Sequence, residues 1–271
     1  MIDYARISNM VRYIREKRLW AEWQYVTRCW EYPWILENGR FDKGLKCLDA
    51  GCGQSPIPAY LHDIGCDSHG LDYLQGEKGE YPDTYGIPQD WIKMLSGKVK
   101  YHHGSMFSAP FADDTFDRIT CVSVLEHILS PQQPHAHYPC LEELKRILKP
   151  GGLFLVNEYH PFRRIWKQAA GPLALDCGYF DRGPHQWDRA EDVPGAAPGS
   201  LPSYEFHWTV SEFLAAVVEA GAELVKVEEF GDESEAWERA PLAGLPRCLL
   251  IVSRKKEGPI SRVQATADRP T

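Results

Sequence analysis

The segment CLDAGCGQSP, residues 47–56, constrains the fold more than any other stretch of this 271-residue chain. A short apolar run ends at Asp49, and Gly51 and Gly53 follow directly. Glycine adopts backbone conformations that other residues avoid, and it lets the backbone approach a ligand closely. A strand that ends in such a turn before a helix is typical of a doubly wound α/β sheet, in which the ligand lies at the carboxyl ends of the strands.

The rest of the chain alternates between strand-like and helix-like segments, which predicts a mostly parallel sheet with helices on both faces. Helices are predicted over 3–40, 57–64 and the segment YPCLEELKRILKPGG, with a break near Pro33. Another helix starts at a capping box, Thr209 with Glu212, and ends at Gly221. Strands are predicted over 46–49, 99–102, 118–124, 153–156, 224–230 and 248–253, with one more ending at 70–72.

The segment 231–247 has no helical pattern, so the last two strands are expected to form a hairpin with the last strand antiparallel. We divide the chain into an N-terminal helical extension (1–45), a main domain (46–254) and a flexible tail (255–271). Within the main domain, the insert 74–98 and the cap 160–205 are expected to be irregular and to form the walls of a substrate pocket.

Aromatic residues are dense at the start of the chain, at Trp20, Trp23, Tyr25, Trp30, Tyr32 and Trp34. The plainer interpretation is a helix that packs an aromatic stripe on the sheet. The alternative is a lid whose rings shield a cation.

Charge and cysteine usage narrow the function. A net charge of −8 argues against nucleic acid or an anionic membrane as the main partner. With no apolar run of 18 residues and no signal-peptide pattern, we expect a cytoplasmic protein that acts on a small molecule. The eight cysteines include no C-x-x-C pair, so they are expected to be reduced and to bind no metal.

Two common nucleotide sites fit the glycine turn poorly. A nicotinamide fingerprint needs G-x-G-x-x-G, but Pro56 stands where the third glycine is required. A phosphate loop needs Gly-Lys-Ser/Thr, which does not follow the turn. The nicotinamide site and the phosphate loop are therefore both disfavoured, and a different adenosine-bearing cofactor remains an alternative.

Several motifs occur together in one order: LDAGCGQSP, GLDY, GSMFSAPFADDTFDRITCVSVLEHI and ELKRILKPGGLFLVNEY. This arrangement resembles the class I S-adenosylmethionine-dependent methyltransferases, most of all the bacterial small-molecule group with a VLEH segment after the fourth strand. The resemblance covers about residues 45–253. It implies a Rossmann-like, seven-stranded methyltransferase fold with S-adenosylmethionine as cofactor. The implied reaction is methyl transfer to an oxygen or nitrogen of a small molecule, and the protein is expected to be a monomer or homodimer. A nicotinamide-dependent oxidoreductase, a binding protein without transfer activity and a cyclase on the same fold remain alternatives.

The resemblance also implies which residues contact the cofactor: Asp49, Gly51, Gly53, Asp72, Tyr73, Ser105, Met106 and Ser123. The turn would hold the amino-acid end, and the two oxygens of Asp72 would accept from the ribose hydroxyls. Tyr73 would lie beside the adenine, and Met106 would pack on its ring. Ser105 departs from the family, which usually has an aspartate there, so its hydrogen bond to the adenine should be weaker.

Three histidines near the strand ends are candidate proton acceptors: His127 in VLEHI, His160 in NEYHPF and His207 before the last helix. His127 more often shapes the cofactor pocket in this family, and a structural role for His207 is at least as plausible. Glu158 is a further candidate, and Glu126 is expected to be a solvated or cap-pairing acid.

Overall fold

The computed structural model describes residues 9, 12–17, 28–74, 86–128, 137–167, 172–188, 197, 199, 202–231 and 244–257. Its helices are α1 (Arg28–Asn38), α2 (Ile57–Asp63), α3 (Gln89–Met94), α4 (His137–Ile147) and α5 (Val210–Glu219), with helical residues also at 12–16. Its strands are β1 (Lys46–Ala50), β2 (Asp67–Asp72), β3 (Lys100–His103), β4 (Phe116–Val122), β5 (Leu148–Tyr159), β6 (His185–Asp188), β7 (Pro202–Glu205), β8 (Ala222–Phe230) and β9 (Cys248–Lys255). Short 3₁₀ helices span Leu125–His127 and Pro161–Arg163.

Seven strands form one sheet in the order β3-β2-β1-β4-β5-β9-β8. The pairs from β3 to β5 are parallel, and β9 is antiparallel to both β5 and β8. The predicted Rossmann-like α/β sheet with an antiparallel last strand is confirmed. Because β1, β2, β4 and β5 run the same way, their carboxyl ends meet at one edge of the sheet.

Two apolar clusters fill the two faces of this sheet. One contains buried residues of α4 and α5, and the other contains buried residues of α1, α2 and α3. In β4, Ile119 and Cys121 are fully buried, as expected of a central strand covered on both sides.

Three local predictions are wrong. Helix α1 continues through Pro33, because the missing N–H removes only one bond and the helix is held on the sheet by buried Tyr32 and Ile35. The insert 74–98 contains α3, whose buried Trp91 packs in the core. The cap 160–205 contains β6 and β7, which pair as an antiparallel ribbon.

The N-terminal aromatics are described only in part. Tyr32 is buried in the core, and Trp34 donates to Glu228 at 2.6 Å and meets the ring of Phe230 edge-on. Tyr32 and Trp34 therefore pack against the body of the protein, as the plainer interpretation predicts. Trp20, Trp23, Tyr25 and the side chain of Trp30 lie outside the described residues.

Candidate active site

The turn after β1 requires glycine at two positions. Gly51 has φ +70° and Gly53 has φ +43°, the left-handed region in which a side chain is strained. A Cβ atom at Gly51 would lie 2.6 Å from both methyl carbons of Val124. A Cβ atom at Gly53 would meet Asp72 Oδ2 at 3.9 Å, its one neighbour within 4 Å in the described part of the chain. Gly51 is therefore packed against the segment after β4, whereas Gly53 borders open space beside Asp72.

Asp49 anchors the start of this turn. It pairs with Gly70 of β2 on one side and with Thr120 of β4 on the other. Its side chain is buried, and Oδ1 accepts a hydrogen bond of 2.6 Å from the Thr120 hydroxyl. A buried carboxylate needs such a donor because it has lost its water.

Asp72 ends β2 and joins that strand to the turn. Its Oδ2 accepts from the Gly53 N–H and its Oδ1 from the Tyr73 N–H, both at 2.7 Å. Burial raises the pKa of Asp72 to about 6, although these two N–H groups oppose the shift. Each carboxylate oxygen has a second acceptor site, so Asp72 can still accept from a ligand diol.

The segment after β3 lies at the same edge of the sheet, because β3 is parallel to β2. Ser105 Oγ accepts from the Phe107 N–H at 3.1 Å, which leaves its proton and a lone pair for a ligand. Met106 is partly buried against the core. The ring of Tyr73 lies edge-on to that of His103, with centroids 6.0 Å apart.

Ser123, directly after β4, has an unusual backbone. Its φ is +50°, and the residue is buried, with its N–H donating to the Asn157 carbonyl at 2.8 Å. Left-handed conformations of residues other than glycine persist where the surroundings enforce them, and they cluster at binding sites. Ser123 therefore turns the chain at the sheet edge, one residue before Val124, which Gly51 contacts.

The VLEH segment is held by a buried acid of β5. Glu158 Oε1 accepts from the N–H groups of Val124 and Leu125, both at 3.1 Å. Burial raises the pKa of Glu158 well above its ordinary value, and the neighbouring Glu126 carboxyl adds to the shift. The expectation of a solvated Glu126 is wrong, since that side chain is buried. Glu158 thus positions the segment that carries His127.

His160 uses both ring nitrogens within the protein. Nδ1 accepts from the Phe162 N–H at 3.1 Å and caps the second 3₁₀ helix, while Nε2 lies 2.6 Å from Glu229 Oε1. Burial lowers the pKa of His160 despite the carboxylate. These contacts favour a positioning role over proton abstraction.

The cap places an ionised acid near the other two histidines. Glu205, the last residue of β7, is buried and lies 2.9 Å from Arg164 Nη1 and 3.8 Å from His207 Nε2. Burial alone would raise the pKa of Glu205, but the Arg164 charge, His207 and His127 lower it to about 2. The Phe206 N–H donates to the Glu126 carbonyl at 2.9 Å and joins the cap to the VLEH segment.

The fold therefore brings His127 and His207 to one acid, whereas His160 has other partners. Sequence reasoning missed Glu205 and Arg164. A weak signal for Glu205 was present, because residues two apart on an extended chain lie on the same face and Glu205 precedes His207 by two. Arg164 directly follows the second 3₁₀ helix, and no pattern in the sequence marks its ion pair.

Comparison with known proteins agrees with this geometry. The family described as "Methyltransferase domain" matches residues 48–156. An uncharacterized methyltransferase of Synechocystis is 30% identical over 181 residues, which cover 58% of this chain and 77% of that protein. The chain belongs to the class I S-adenosylmethionine-dependent methyltransferases.

Two further relatives are matched over a smaller share of their own length. A sterol 24-C-methyltransferase of Gibberella zeae is 30% identical over 46% of this chain and 30% of that protein. A ubiquinone biosynthesis O-methyltransferase of Dinoroseobacter shibae is 24% identical over 60% of this chain and 61% of that protein. The chain thus spans less than two thirds of the length of these two relatives.

A solved S-adenosylmethionine-dependent methyltransferase from Mesorhizobium loti shares the fold of this chain. It has a TM-score of 0.59 and 22% identity, and the match covers 83% of this chain and 97% of that one. In the described residues, no helix combines the length and apolar character that a bilayer crossing requires.

The cofactor of the family, S-adenosylmethionine, fits the residues present in this chain. The space beside Gly53 would be narrowed by a side chain, and it faces a carboxylate with acceptor sites to spare. Asp72 suits a ribose diol, and the turn at Gly51 and Gly53 lets backbone atoms approach the ligand.

Proposed function

We propose that this chain transfers the methyl group of S-adenosylmethionine to a small organic molecule bound between the sheet edge and the cap. The observation that carries the proposal is the junction of Asp72 with Gly53, which gives the ribose an acceptor beside an open turn. When bound, the cofactor supplies a methyl group on a positively charged sulfur. The protein then has to aim an acceptor at that carbon and exclude water.

An oxygen or nitrogen is the proposed methyl acceptor, with oxygen favoured. The Dinoroseobacter relative is named an O-methyltransferase, and the Gibberella relative a C-methyltransferase. His127 interacts electrostatically with the anionic Glu205, which supports a hydroxyl acceptor, because an imidazole near a carboxylate is suited to take a proton. In this proposal Arg164 and Glu205 keep the cap in place.

We assign the three candidate histidines different roles. His127 accepts the proton, since its side chain is partly exposed, lies 3.7 Å from Glu126 Oε1 and interacts electrostatically with Glu205. His160 orients the chain after β5 through its bonds to Phe162 and Glu229. His207 shapes the cap.

The partners and location follow from coarser observations. The net charge of −8 supports a small-molecule partner rather than a nucleic acid. Seven described cysteines form no disulfide with one another, which supports a reducing cytoplasm. The choice between monomer and homodimer, and the division at residues 45 and 254, stay predictions.

The test is methyl transfer with purified protein. S-adenosylmethionine carrying a labelled methyl group is incubated with pools of phenols, alcohols, amines and apolar alkenes, and demethylated cofactor is counted by mass spectrometry. We expect turnover with a hydroxyl pool and a labelled ether product. Tight cofactor binding without product in any pool would instead favour a binding protein, and turnover only with alkenes would overturn the choice of oxygen.

A further inference from the structure

Three residues with metal-binding side chains meet in the cap. Cys177 precedes β6, His185 begins β6, and His207 lies two residues after β7. Each offers one ligand atom, and these atoms lie within 4.8 Å of one another. Cys177 Sγ is 3.8 Å from His207 Nδ1, and the two imidazole rings stack with centroids 3.9 Å apart. All three residues are partly exposed.

The surroundings of the two histidines resemble those of metal ligands. His207 directs Nδ1 toward Cys177 and Nε2 toward Glu205 Oε2, 3.8 Å away. Glu205 is itself held by Arg164 at 2.9 Å. A carboxylate on the far side of the ring favours a proton on the nitrogen that faces it and leaves the other nitrogen free as a ligand. The ring of His185 is oriented by the Asp181 carbonyl, 3.2 Å from Nε2.

We propose that Cys177, His185 and His207 bind one Zn²⁺ ion and leave its fourth position open. One thiolate and two imidazoles are a ligand set that zinc takes, and three protein ligands leave a position for water or substrate. With bond lengths of about 2.0–2.3 Å, tetrahedral ligand atoms lie about 3.3–3.6 Å apart. The ligand atoms would therefore close in by up to about 1.5 Å, and the two stacked rings would rotate so that both nitrogen lone pairs point at the ion. Binding releases the thiol proton of Cys177.

This site is not visible as a motif, because its ligands are 8 and 22 residues apart in sequence. The sequence-based expectation of no metal rested on cysteine spacing alone. Pairing of β6 with β7 brings the distant His185 and His207 together. The ion would link the segment before β6 to the segment after β7 and so hold the cap as one unit.

The test is a Co²⁺ titration of the full-length, tag-free protein after treatment with a chelator. We expect one equivalent to bind, with the visible absorption of tetrahedral cobalt and a near-ultraviolet sulfur-to-cobalt band. Zn²⁺ should abolish both signals. Cys177→Ser should remove the sulfur band, and His185→Ala or His207→Ala should weaken binding at least tenfold.

Two control variants are matched to these changes. His62→Ala alters a histidine of α2, and Cys140→Ala a cysteine of α4, both outside the cap. Each should bind one Co²⁺ as the unaltered protein does. A rise in the melting temperature of unaltered protein with one equivalent of Zn²⁺ gives a measurement that needs no variant.

The proposal is overturned if unaltered protein shows neither the cobalt bands nor the rise in melting temperature. Bands that persist in Cys177→Ser and His207→Ala would also overturn it, since the metal would then lie elsewhere. None of these measurements depends on methyl transfer, so their failure leaves the proposed reaction untouched.

Discussion

Asp72 couples ligand recognition to the shape of the glycine turn. Its two oxygens receive the N–H groups of Gly53 and Tyr73, so the carboxylate orders the turn before any ligand arrives. A site that is already ordered loses less entropy on binding. The residue thus contributes both to the order of the turn and to the proposed cofactor contact.

Replacing Asp72 with alanine should weaken affinity for the demethylated cofactor at least tenfold, because both ribose acceptors and the hold on Gly53 are lost. Isothermal calorimetry measures this. Asp67→Asn is the matched control, since Asp67 lies at the opposite end of the same strand in an exposed pair with Lys100. Equal affinities for Asp72→Ala and unaltered protein would remove Asp72 from the site.

Cofactor affinity should also depend on pH. The pKa of Asp72 is raised to about 6 by burial, and only the ionised form accepts from both hydroxyls. Affinity should therefore be constant above about pH 7 and fall as pH decreases through 6, by up to about tenfold per unit. Asp72→Asn should abolish this dependence between pH 5 and 7. A flat profile in the unaltered protein would contradict the assignment.

The two glycines of the turn should respond differently to alanine. Both would be strained by their positive φ, at about 1–2 kcal/mol, but only Gly51→Ala also clashes with Val124. Urea unfolding should show the larger loss of stability for Gly51→Ala. Adding Val124→Ala should recover part of that loss. If Gly53→Ala is the less stable variant, the described packing is incorrect.

Among the helices and strands, the confirmed predictions rest on local sequence patterns. The capping box at Thr209 forms as predicted, with the Thr209 hydroxyl accepting from Glu212 N and the Glu212 carboxylate accepting from Thr209 N. The β6–β7 ribbon was missed because its partners are separated by thirteen residues rich in Gly, Pro and Ala. Pairing of two strands across such a distance produces no periodic pattern in the sequence.

Thr209→Ala should lower the free energy of unfolding by about 0.5–2 kcal/mol, because α5 loses its side-chain cap. The effect should lie toward the upper end, since Thr209 is buried. Denaturant unfolding measures it, with Val218→Ala at an exposed position of the same helix as control. A loss no greater than that of the control would show that the cap contributes little.

At the scale of the molecule, the carboxyl ends of the parallel strands meet at one edge of the sheet. The residues around the glycine turn could therefore be predicted from the sequence. The cap could not be assembled in the same way. Arg164, Glu205 and His207 come from separate segments, and their contacts depend on how the chain after β7 meets the segment after β4. Tertiary contacts of this kind determine charge and proton affinity, and no short motif encodes them.

Replacing His127 with glutamine tests proton abstraction separately from cofactor binding. In the proposed reaction His127 accepts the proton from the methyl acceptor, so turnover should fall by about 10²–10⁴, while cofactor affinity stays within about twofold. Steady-state kinetics and calorimetry measure the two quantities. His62→Gln, at the last turn of α2, should alter neither. Unchanged turnover in His127→Gln would exclude it as the base.

The position of β9 has a consequence for biosynthesis. This strand lies between β5 and β8, yet the ribosome delivers it after both. Until Cys248–Lys255 emerges, the nascent polypeptide presents open strand edges that neighbouring chains can capture. Recombinant yield should therefore benefit from slow translation or from chaperones that shield growing chains.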